Sequence, residues 1–110
     1  MEVRAVARNA PGSARKIRPI IDLVRGKKVE EALSILQFVP SPKARLVAKV
    51  IKSAAANAEH NYQIPISELR IKHIVADEGI RLKRWRPKAR GRVNPYCKHY
   101  CHITVVVGRE

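Results

Sequence analysis

The chain is 110 residues long and 45% hydrophobic, and its 23 Lys and Arg against nine Asp and Glu leave a formal net charge of +14. That length predicts a single domain, 1–110, whose core must be mostly Ile, Leu, Val and Ala, because only five aromatics are present: Phe38, Tyr62, Trp85, Tyr96 and Tyr100. Self-repulsion at this charge calls for a polyanionic partner. The expected partner is a nucleic acid and not a membrane, since no run of about 18 apolar residues, lipidation signal or secretory leader is evident.

In chain order, residues 3–9 alternate Val3, Ala5 and Ala7 with Arg4, Val6 and Arg8, which predicts a short strand with a basic outer face, ended by Pro11 and Gly12. Ser13 then caps a helix whose Ile17, Ile20, Ile21 and Val24 recur at i, i+3, i+4 and i+7, with Gly26 as its stop. Pro19 lacks the N–H that would bond back to Arg15, so a kink or a late helix start is expected. A second helix is predicted over 29–38, with Val29, Ala32, Leu33 and Leu36 inward and Glu30 and Glu31 at the positive end of its dipole.

Pro40 closes that helix, and Ser41-Pro42 opens the longest one, to about Asn61, with Leu46, Val47, Val50, Ile51, Ala54 and Ala58 inward. The run Ala54-Ala55-Ala56 offers a flat surface to another backbone, and Ser53 is assigned to packing there. Residues 69–76 read as a strand, Asp77-Glu78-Gly79 as a turn, and 103–107 as a β-branched strand suited to burial on both faces. The expected fold is α+β, three helices packed on a small antiparallel sheet, with a long basic β-hairpin extension over residues 80–102.

That extension holds eight of the 23 cations and no acid: Arg81, Lys83, Arg84, Arg86, Lys88, Arg90, Arg92 and Lys98. Its apolar residues are too few to close a core. A tip at Gly91 between two basic arms, each reaching about 33 Å, would be marginal alone in water but sensible inside RNA, where guanidinium groups meet phosphates and Trp85, Tyr96 and Tyr100 stack on bases. The plain alternative is a solvated charged loop; the aromatics and the unbroken sign of charge favour RNA. A second basic group, Arg4, Arg8, Arg15, Lys16, Arg18, Arg25, Lys27 and Lys28, is offset only by Glu2 and Asp22, so contact with more than one RNA segment is expected.

Three blocks carry a family resemblance. They are Ser13-Ala14-Arg15-Lys16-Ile17-Arg18 running on to Asp22-Leu23-Val24-Arg25-Gly26-Lys27; Lys49 through Ser53-Ala54-Ala55-Ala56-Asn57-Ala58 to Asn61; and Asp77-Glu78-Gly79, Lys83-Arg84, Pro87-Lys88-Ala89-Arg90-Gly91-Arg92 and His102-Ile103-Thr104-Val105. In order and spacing the chain resembles the universal large-subunit ribosomal protein family numbered twenty-two.

The resemblance implies a structural protein without cofactor that binds large-subunit (23S-type) rRNA and supports assembly beside neighbouring ribosomal proteins. It also implies a hairpin tip at the exit-tunnel wall, near a macrolide pocket and the nascent peptide. Tip residues would be Lys88, Ala89, Arg90, Gly91 and Arg92, and no homo-oligomer is expected. Pro19, Lys88 in place of the usual Arg, and a less basic returning arm from Asn94 to Cys101 depart from the family pattern.

Cys97, His99, Cys101 and His102 raise a zinc site by proximity in sequence, but on a strand Cys97 and Cys101 would sit about 13 Å apart and His102 would face the other way. Both cysteines are expected to be reduced, in the cytoplasm or an organelle's equivalent. His60, His73, Asp77 and Glu78 have no spacing that joins them into an acid–base or nucleophilic set, and an enzyme is not expected. The competing non-ribosomal reading is a free nucleic-acid-binding module that compacts DNA or chaperones RNA with the same charge.

Overall fold

The computed structural model describes residues 2–87 and 89–109. Strand β1 (Glu2–Pro11) is followed by helices α1 (Ala14–Val24), α2 (Val29–Gln37) and α3 (Pro42–Tyr62), a 3-10 turn (Ile66–Glu68), and strands β2 (Leu69–Pro87) and β3 (Val93–Arg109) joined at a tight turn (Ala89–Gly91). The sheet is antiparallel in the order β1-β3-β2. All three helices lie on one face of it: α3 packs on β1 and β3, α1 on β2, and α2 on α1 and α3.

Local chemistry explains most boundaries. The apolar stripe of α1, Ile17, Ile20, Ile21 and Val24, is buried as its period requires, with Ala14 beside it. Ser13 occupies the N-cap through its backbone, its carbonyl accepting from Lys16 N–H at 3.2 Å, while its hydroxyl makes no capping bond. Ser41 does cap α3, its Oγ accepting from Lys43 N–H at 3.3 Å just before Pro42 at N1. A late start of α1 is not seen, since the helix begins at Ala14 and stays helical past Pro19. Pro19 is exposed, so its ring and the carbonyl it leaves unpaired fall on the solvent side, where water can serve.

The structure corrects three expectations. Asp77-Glu78-Gly79 is not a turn: Asp77 pairs with His102 and Glu78 with Cys101, and β2 runs on to Pro87. The next pair is Arg81 with His99, so Gly79 and Ile80 oppose Tyr100 alone in a bulge. Gly79 is needed for close approach, since a Cβ there would stand 3.0 Å from the Tyr100 carbonyl oxygen and 3.1 Å from its carbon. Second, residues 103–107 are buried on one face only; Ile103, Val105 and Val107 are in the core while Thr104 and Val106 are half-buried, because no layer covers the second face. Third, Ser53 is exposed, and the packing on α3 falls to Ala54, Ala55 and Ala58.

The core is a single apolar cluster, and no polar or charged residue is buried among the described ones. Its members run to Ala76 and resume at Cys101, so the hairpin beyond the bulge contributes none. The result is elongated, with extents of 61 × 26 × 17 Å and a radius of gyration of 16.8 Å, against about 13 Å for a compact chain of ~100 residues.

Replacing Gly79 with Ala or Val should cost about 1–3 kcal/mol, because the obstructing neighbour is strand backbone that cannot rotate away as a side chain could. Thermal melting followed by circular dichroism checks this. An unchanged midpoint for Gly79→Val would show that the bulge accommodates a side chain freely.

Candidate nucleic-acid interface

Beyond the bulge, the hairpin is a two-stranded ribbon with no dry side. Lys83 pairs with Cys97 and Trp85 with Pro95 on one face; Leu82 pairs with Lys98, Arg84 with Tyr96 and Arg86 with Asn94 on the other. One face therefore carries Lys83 and Trp85, and the other Arg84, Arg86, Lys98 and Tyr96. Trp85 is 65% exposed. Tyr96 is half-buried because the Arg86 guanidinium sits over its ring, 4.5 Å from the centroid, a cation–π contact worth about 0.5–1 kcal/mol at such a site. Tyr100 is half-buried beside the bulge, and of the three expected stacking rings Trp85 is the most open.

At the tip, Arg90 (φ 63°) and Gly91 (φ 72°) are both left-handed. For Gly91 the backbone angle is the reason, since a Cβ would meet nothing within 4 Å. For Arg90 the same region costs roughly 1–2 kcal/mol. Ala89, Arg90, Gly91 and Arg92 are all exposed; Lys88 lies outside the described residues.

The second basic group is split by the sheet. Arg4 lies on the uncovered face, opposite Val106, and Arg8 is exposed beside a register shift that includes left-handed Asn9. Arg15, Lys16 and Arg18 belong to α1 in the helical layer. Arg15 and Lys16 are exposed, whereas Arg18 turns back to donate from Nε and an Nη to the Ala76 carbonyl at 3.3 and 3.2 Å, tying α1 to β2.

Arg25 pairs with Asp22 at 3.1 Å, and Arg81 with Glu78 at 3.3 Å. Both pairs are exposed and worth at most about 1 kcal/mol, so a phosphate can displace the carboxylate. The loop holding Lys27 and Lys28 is stitched to β2: Ile71 N–H donates to the Lys27 carbonyl at 2.9 Å, and Lys28 bridges to Arg70. A third cationic stripe, Arg45, Lys49 and Lys52 on α3, escaped the sequence reading, although its i, i+4, i+7 spacing beside the apolar stripe was available as a signal.

The remaining chemistry-bearing residues stay apart. Cys97 is exposed, while Cys101 is buried and donates from Sγ to the Ala10 carbonyl at 3.8 Å. His102 Nδ1 accepts from Asn9 N–H at 3.1 Å. Among the described residues no group of three or more His, Cys, Asp or Glu could hold a metal ion. His60 and His73 are exposed on separate elements, and Glu78 is engaged by Arg81.

The model of a family described as ribosomal protein L22p/L17e matches residues 5–108. The large ribosomal subunit proteins uL22 of two Dehalococcoides mccartyi strains, BAV1 and CBDB1, are each 57% identical over 107 residues, covering 97% of this chain and 98% of theirs. The protein of the same name from strain 195 is 56% identical over the same share.

Burial pushes the Cys101 thiol above the ordinary cysteine range, against a smaller opposite pull from the Lys43 charge. Folded protein should therefore take one alkylating label, at Cys97, and a second at Cys101 only after denaturation. Mass spectrometry of iodoacetamide-treated samples decides it. Equal native labelling of both thiols would contradict the buried position of Cys101.

Proposed function

The chain belongs to the ribosomal protein L22p/L17e family, and from that premise we propose that its cationic hairpin enters large-subunit (23S-type) rRNA and carries its tip to the wall of the peptide exit tunnel. As a member of this family the protein is a structural constituent of the large subunit of the cytoplasmic ribosome, with ribosomal partners, and is not an enzyme. Membership also removes the free DNA-compacting or RNA-chaperone alternative.

The observation that carries the finer reading is the ribbon charged on both faces and anchored to a core that takes nothing from it. A surface-lying arm would need one cationic face; an arm enclosed by RNA needs two. In this reading Lys83, Arg84, Arg86, Arg90, Arg92 and Lys98, with Lys88, contact phosphates, and Trp85 stacks on a base. Arg4 and Arg8 meet rRNA from the open sheet face, while Arg15, Lys16, Arg25, Lys27 and Lys28 meet it from the helical side. Arg18 adds to that surface while holding α1 to the sheet. Ala89, Arg90, Gly91 and Arg92 face the tunnel lumen and the nascent peptide. The chain works as one folding unit over 1–110, as a single copy that supports subunit assembly.

Replacing residues 82–97 with a short Gly-containing turn should leave the melting transition in place, because no core residue is removed. The slope of log affinity for large-subunit rRNA against log salt should fall by about two to three units if half of the six excised cations touch phosphate, at ~0.7–0.9 per contact. A lost melting transition would make the arm part of the core, and an unchanged slope would mean that its charges never meet RNA.

Placement at the tunnel is tested by inserting a few residues after Gly91. Assembly should stay nearly intact while macrolide sensitivity or nascent-chain stalling changes. Wild-type behaviour in both assays, with the insertion confirmed in assembled ribosomes, would count against that placement.

A further inference from the structure

Phe38 is 83% exposed, the most open of the chain's aromatics, and it is not on a frayed segment. Its N–H donates to the Ile35 and Leu36 carbonyls as the C-cap of α2. Val39 N–H bonds to Leu36 and Ser41 N–H to Val39, at 3.3 and 2.8 Å, and Pro40 and Pro42 stiffen the same loop. The ring is therefore presented outward by a fixed backbone, at a standing cost in exposed apolar surface.

Beside it, between the end of α2 and the start of α3, runs an open groove lined by half-buried Leu33 and Val39 and by Arg45, Lys49 and Lys52. The three cations share one helix face and span about 10 Å along the axis at ~1.5 Å per residue. None has an ion-pair or hydrogen-bond partner among the described residues, and no acid lines the groove. An apolar protein pocket placed over Phe38 would have to strip water from these unpaired charges. A nucleotide answers both features at once, with a flat base for the ring and phosphates for the cations.

We infer that the groove between α2 and α3 holds an unpaired or bulged nucleotide of the large-subunit rRNA, its base stacked on Phe38 and its flanking phosphates on Arg45, Lys49 and Lys52. This rests on the rRNA-binding reading above and adds a contact separate from the hairpin and from the α1 and β1 surfaces.

The test titrates purified large-subunit rRNA with the full chain over a salt series, comparing wild type, Phe38→Tyr, Phe38→Leu and the triple variant Arg45→Gln, Lys49→Gln, Lys52→Gln. Phe38→Tyr keeps the ring and should bind as wild type. Phe38→Leu keeps an apolar side chain but loses stacking, and should weaken binding about tenfold without changing the salt slope. The triple variant should lower the slope by about two units, at ~0.7 per single-strand phosphate. Ultraviolet crosslinking of assembled large subunits should join the Phe38 peptide to a nucleotide.

Wild-type affinity and slope in both the Leu and triple variants, with the hairpin excision still impaired, would overturn the groove contact and leave the hairpin reading standing. A crosslink from Phe38 to another protein would overturn it in favour of a protein partner. Failure of wild type itself to bind rRNA would remove both.

Discussion

The ladder between β2 and β3 governs this molecule. It runs from Leu69 opposite Arg109, inside the domain, to Pro87 opposite Val93, at the far end of the arm, with register shifts at Lys72 and at Gly79-Ile80. Its inner half is held in register by burial, since Ile71, Ile74 and Ala76 face the helices with Ile103, Val105 and Val107, and a slip of one residue would turn that set toward water. Its outer half has no such selection, being polar on both faces. The arm's register and direction are therefore inherited from the core, and an isolated ribbon of the same sequence would lack them.

The bulge at Gly79 and Ile80 joins the two halves. Placing two residues against one increases local twist and bends the strand where packing ends and the exposed ribbon begins. Close backbone approach at Gly79 keeps the pairing continuous through that bend. A conventional turn at this point would have ended the ladder and left the basic segment as a loose loop.

Charge is segregated as sharply as packing. The core holds no polar group among the described residues, whereas the cations occupy the ribbon, the uncovered sheet face, the outer side of α1 and the groove beside Phe38. Folding draws on apolar burial and ladder hydrogen bonds, and binding draws on surface charge, so the two are separable by substitution. Arg18 is the exception that links them, a cation whose hydrogen bonds to the Ala76 carbonyl also hold α1 to the sheet.

The sequence by itself determined what depends on near neighbours. The apolar periods of α1 and α3, the Ser41-Pro42 start, the Glu-rich first turn of α2, the strand alternation of β1 and the Gly91 tip all follow from spacing, capping or backbone freedom within a few residues. Net charge and the run of cations near the tip pointed to a polyanion for the same reason. Tertiary structure alone decided what depends on segments far apart in the chain. Asp77-Glu78-Gly79 has the composition of a turn but lies in a strand because residues 101 and 102 pair with it. Val106 is β-branched like its neighbours yet half-open because three helices cover only one side of the sheet. Arg4 and Arg15, one basic group in sequence, stand on different layers because β1 and α1 do. Phe38, apolar and at the end of α2, lies outside the core because the apolar face of α2 is already filled by Val29, Ala32 and Leu36.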